Sequence, residues 1–184
     1  MNKIILGTES LIACCAFYLI WWVLAFRPDG RKMTTWFWLI LAAIFGLAGV
    51  VTTVMGINSE KPGRSLFGIG PMIAGIVIYA VLLYVTSHFM HRQVTTELIL
   101  IVGWAVLEIS ALDTMQCFNS VGGITTKTAL IMMAVVILMA VASMVAYLLY
   151  YGLDAVKGYI DGMIPLILIA GTMIAELVVV RIQR

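Results

Sequence analysis

Four acidic side chains, Glu9, Glu108, Asp113 and Glu176, stand inside long apolar stretches of this 184-residue chain. A charge there is expensive and by default marks a function. Glu108 is the most demanding of the four. It lies midway between Glu97 and Phe118, and no apolar stretch carries a basic residue at its depth. A carboxyl group so placed must be protonated, hydrogen-bonded or set against a wet cavity. Such a group suits the binding of a proton or a cation.

Depth gives the other acids their meaning. At 1.5 Å per helical residue, Glu9, Asp113 and Glu176 each fall roughly 8 Å below the face that carries both chain termini. Three carboxylates at one level suit a shared cation or proton site. The plainer alternative is that they are solvated there, or pair with Lys3, Lys127 or Arg181. On the last stretch Asp161, Pro165, Thr172 and Glu176 fall within roughly 60° of one another, a polar stripe expected to face protein or water. Ser110, Asp113, Thr114 and Cys117 form a second polar face, whereas Glu108 points about 140° away from Asp113. Those two acids therefore cannot serve one site from a straight helix. The expected proton-, cation- or substrate-binding set is Glu108, Asp113, Glu9, Glu176, Asp161 and Thr172.

Other chemistry is sparse. His88 and His91 share a helix face, but two adjacent ligands do not complete a metal site, and interfacial polar roles suit them better. Cys14, Cys15 and Cys117 are read as small apolar packing residues. The chain has no phosphate-binding glycine loop with lysine, no H-E-x-x-H and no G-x-S-x-G. The expectation is a non-enzyme without cofactor or metal. Pro71 and Pro165 each follow a glycine by three residues, early in the third and sixth stretches. As helix breaks at matching places they would point to a transporter site, although proline is equally at home in the first turn of any helix.

The elements that must carry these residues follow from composition. The chain is 63% hydrophobic and 11% charged, with a mean hydropathy of +1.10, far above the roughly 45–50% apolar content of soluble domains. About 20 apolar residues cross a bilayer core of about 30 Å. Six stretches qualify, at residues 4–26, 33–57, 66–90, 97–118, 128–152 and 160–181. The fourth is the weakest, because Glu108 and Asp113 interrupt it. The first is too long for a secretory signal core and is read as a retained span. The fold expected is an all-α integral membrane protein, one transmembrane domain over 1–184, with short loops that make successive helices antiparallel neighbours. Lys3, Lys61, Arg64, Lys127, Arg181 and Arg184 face Arg27, Arg31, Lys32, Arg92 and Lys157 across the bilayer, a split under which the positive-inside rule picks neither orientation.

The halves 1–91 and 92–184 echo each other faintly. Thr8-Glu9 recurs as Thr96-Glu97, Thr34-Thr35 as Thr125-Thr126, and Gly68-Ile69-Gly70-Pro71 as Gly162-Met163-Ile164-Pro165. A duplicated three-span unit would insert upside down, as inverted repeats do; short dipeptides of these residues also recur by chance. The function expected is a small multi-pass transporter or channel of the cell membrane, moving an ion or small solute and coupled to protons through its intramembrane carboxylates. The alternative is a non-catalytic membrane subunit that stabilises a larger complex. The partners expected are the lipid bilayer, the small solute or ion, and a further copy or a membrane partner subunit. With a net charge of +2 and no basic run, nucleic acid is not among them.

Overall fold

The computed structural model describes residues 2–25, 32–59, 66–89, 95–118, 123–150 and 163–183. Asp161 and His91 lie outside the described residues. Regular structure among those described is entirely helical: α1 (Asn2–Ala25), α2 (Lys32–Ser59), α3 (Gly70–Phe89), α4 (Thr95–Gln116), α5 (Thr126–Tyr150) and α6 (Met163–Gln183). Each is long and apolar enough to cross a bilayer. Even α3, the shortest at 20 residues, measures about 30 Å.

The boundaries depart from expectation where the backbone finds another use. α3 starts at Gly70 rather than at residue 66, because the preceding residues form a turn. Gly70 N–H donates to the Phe67 carbonyl at 2.8 Å, and Gly68 takes a φ of 53°, a conformation open to glycine. Pro71 is thus the second residue of α3. Its missing N–H costs nothing there, and it opens the helix instead of interrupting it. Pro165 is the third residue of the described α6.

α1 and α2 form the tightest pair. On α2, Ala42, Gly46, Gly49, Thr53 and Gly56 recur at alternating spacings of four and three, the period of a left-handed helix pair. Cys14 of α1 packs against Gly46, Leu11 against Gly49, Gly7 against Gly49 and Thr53, and Ile4 against Gly56. In an apolar solvent no hydrophobic force joins two helices. Close van der Waals contact does, and small residues permit it.

α4 is the hub, packing on α2, α3, α5 and α6. It is also the least apolar of the six helices and the most enclosed. The helix that exposes least to its solvent is the one able to carry two acids. Its inner face contributes to two apolar clusters. One gathers Ile4, Ala111, Leu112, Met115 and Val180 with residues of α5. The other gathers Leu11, Cys15, Ile169 and Met173, with Trp104 and Leu107 packed against it. An inverted duplication would make the first three helices repeat the packing of the last three. Yet α5 packs closely on α6, whereas α3 leans on α4 and, among the described residues, has no comparable contact with α2.

Candidate functional site

Between the two apolar clusters lies a polar layer. α4 supplies Glu108 from between Leu107 and Ala111, and α6 supplies Thr172 and Glu176 from between Ile169 and Val180. Thr172 and Glu176 are one turn apart, so they share a face of α6. All three are buried: Glu108 is 5% exposed, Thr172 6% and Glu176 2%. The two glutamates lie within electrostatic reach of each other.

The hydrogen bonding of this layer is incomplete in an informative way. Thr172 Oγ1 lies 3.0 Å from Glu108 Oε1 and 2.8 Å from the Ile169 carbonyl oxygen. A hydroxyl has one proton to donate. When Glu108 is a carboxylate, Thr172 donates to it. When Glu108 carries a proton on Oε1, it donates to Thr172, whose own proton turns to the Ile169 carbonyl. Thr172 is therefore a rotor that can follow the gain or loss of a proton on Glu108 Oε1. Among the described residues, Glu108 Oε2 and both carboxyl oxygens of Glu176 are buried without a hydrogen-bond partner. Buried polar oxygens are normally satisfied, so these three call for a proton, a cation or water.

α1 runs beside the layer with two residues outside the expected binding set. Thr8 is 3% exposed and lies between Ile4 of one cluster and Leu11 of the other; its hydroxyl donates back to the Ile4 carbonyl at 3.0 Å. Cys15, 1% exposed, is within electrostatic reach of Glu108. The signal that could have found Thr8 is its register, one turn from Ile4 and from Leu11 on a single face.

The other acids are used differently. Asp113 is 3% exposed and fully engaged. Leu66 N–H donates to Oδ1 at 2.9 Å, Phe67 N–H to Oδ2 at 3.2 Å and Gln116 Nε2 to Oδ1 at 3.2 Å. It thus ties the turn before α3 to the end of α4. Gln116 Oε1 in turn accepts from Thr126 Oγ1 at 3.0 Å, which joins α4 to α5. Asp113→Ala is expected to lower stability by about 2 kcal/mol by stranding two backbone N–H groups. A thermal midpoint reduced by about 5 °C would show this.

Glu9 forms an ion pair with Arg181 at 3.3 Å, its side chain 43% and that of Arg181 76% exposed. An exposed pair contributes about 0–1 kcal/mol. Glu9→Gln is accordingly expected to leave the thermal midpoint within about 3 °C of the parent. The three acids placed at one depth therefore have three separate settings: Glu9 beside Arg181, Asp113 under the α3 turn, and Glu176 near Glu108.

His88 stacks on Tyr84 at 5.4 Å and meets Phe89 edge-on at 5.2 Å. The described residues hold no group of three side chains that could ligate a metal. Cys14, Cys15 and Cys117 form no disulfide among the described residues, and the Cys117 thiol donates to the Asp113 carbonyl at 3.2 Å. No protein-family model matches the chain, and neither does any curated protein or solved structure.

Proposed function

We propose that the chain is a multi-pass protein of the cell membrane that transports an ion or small solute, with Glu108 and Glu176 as its proton- or cation-binding groups. The observation that carries this reading is the pair of buried, incompletely bonded carboxyls between two apolar layers. Groups of that kind are costly to keep in an apolar bundle, and three free oxygens give a migrating cation something to bind.

The donor set favours a proton over a dehydrated metal ion. Calcium takes six to eight oxygens and magnesium near-ideal octahedral geometry. Here the side-chain oxygens come from Glu108, Thr172 and Glu176 on two continuous helices, whose backbone carbonyls stay within their own ladders. The apolar layers supply the insulation that a carrier needs. A proton reaches Glu108 or Glu176 only when the Leu11–Cys15–Met173 layer or the Ile4–Met115–Val180 layer parts, so access from the two sides alternates with the opening of one layer or the other. A non-catalytic subunit would be favoured by an acid turned towards lipid. Glu108 is turned towards α6, which supports transport.

The test is flux. Purified protein in liposomes loaded with a pH-sensitive dye, and exposed to a panel of ions and small metabolites, should move protons with at least one of them. Proton movement indistinguishable from that of protein-free liposomes, with every solute and both gradient directions, would overturn the reading.

A further inference from the structure

We propose that the cleft between α3, α4 and α5 binds one anionic phospholipid, with an acyl chain along the cleft and the phosphate against Lys127. This site is separate from the carboxyl layer and does not depend on the transport reading. The cleft has a volume of about 840 Å³ and only apolar side chains and glycines line it, within the roughly 300–1,000 Å³ of small-molecule sites. Ala74 and Ile78 of α3 form one wall, Ala105 and Val106 of α4 the floor, and Ala134 and Val141 of α5 the other wall. Its α5 wall runs from Leu130 to Val145, about 22 Å, longer than the roughly 15 Å of one leaflet of a bilayer core. An acyl chain can therefore lie in it at full length.

Charge at one end selects the headgroup. α3 starts, α4 ends and α5 starts at the same end of the bundle, and Lys127 stands in the first turn of α5. It is exposed and lies within about 60° of Leu130, at the cleft end of the α5 wall. Among the described residues it has no ion-pair partner. The nearest acid on α4, Asp113, is turned under the α3 turn and accepts three hydrogen bonds. An apolar slot of acyl-chain length, with an ammonium group at its end that has no ion-pair partner among the described residues, matches an anionic phospholipid.

The experiment is native mass spectrometry of the delipidated full chain in detergent, titrated with dioleoyl phosphatidylglycerol or dioleoyl phosphatidylcholine. One phosphatidylglycerol is expected to bind about fivefold more tightly than phosphatidylcholine, the scale of one lysine at a lipid surface. Lys127→Gln should erase that preference and Lys127→Arg should keep it. Ala134→Phe should weaken both lipids by filling the cleft. If that variant fails to fold, Ala74→Phe does the same from the opposite wall. Equal binding of the two lipids, a preference that survives Lys127→Gln, or undiminished binding with the cleft filled would each overturn the proposal. So would occupation by a second copy, seen as an Ile137→Cys disulfide dimer in liposomes that takes up no lipid.

Discussion

Glu108→Gln is expected to cut proton-coupled flux on the order of a hundredfold, the scale on which one positioned proton-transfer group acts, in a protein that still inserts and purifies. Glutamine keeps the shape and accepts the Thr172 hydroxyl, but it carries no exchangeable acid proton. Packing and the α4–α6 contact therefore stay constant while titration is removed. Thr172→Val removes the rotor and its hydrogen bond to Glu108 Oε1 but keeps both carboxyls, and a smaller loss is expected. Stability gives the decisive contrast. Both Glu176 oxygens are buried without a partner among the described residues, so Glu176→Met should raise stability by about 1–2 kcal/mol while abolishing flux, as replacement of poorly paired buried polar groups does. That corresponds to a thermal midpoint about 4 °C higher. Purely structural acids would behave in the opposite way. Full activity of Glu108→Gln throughout the neutral pH range, together with destabilisation by Glu176→Met, would remove both residues from the mechanism.

A second large effect is expected in the α1–α2 seam. A Cβ at Gly7 would stand 2.8 Å from the Thr53 nitrogen and 3.0 Å from the Gly49 carbonyl oxygen. Both are backbone atoms, so no rotamer change relieves the contact and the helices must part. Gly7→Ala is expected to cost about 1–3 kcal/mol, as overpacking does, and Gly7→Leu to prevent the pair from assembling. Gly171 of α6 is the control, since a Cβ there meets nothing within 4 Å. Gly171→Ala should gain about 0.5–1 kcal/mol, because glycine is the costlier residue in a helix interior. Opposite shifts of the thermal midpoint are thus expected from the same chemical change. Shifts of one sign at both positions would mean that close approach does not hold α1 to α2.

Much of this was legible without coordinates. Apolar length against the thickness of a bilayer core identifies six helices, because that requirement is local to each segment and independent of its neighbours. Glu108 stands out for the same reason: a midspan acid without a basic residue at its depth is visible in one stretch alone. The four-residue spacing of Ala42 and Gly46 also announces a close helix contact. The full stripe through Gly49, Thr53 and Gly56 needs α1 beside it to be recognised.

What the sequence by itself determined, then, was how many bilayer-length helices the described residues contain and how deep each polar residue lies along its own axis. Depth is one coordinate of three. It grouped Glu9, Asp113 and Glu176 at one level, but rotation about each helix and the choice of neighbours were left open. Tertiary packing decided those. It turned Glu9 outward to Arg181, used Asp113 to hold the Leu66 and Phe67 amides, and enclosed Glu176 with Glu108 and Thr172. It also brought Thr8 and Cys15 of α1 to the level of that pair, across nearly the whole length of the chain. The physical reason is that burial and hydrogen-bond satisfaction are properties of contacts between helices. Residues far apart in the chain make those contacts, and no single segment contains the information that specifies them.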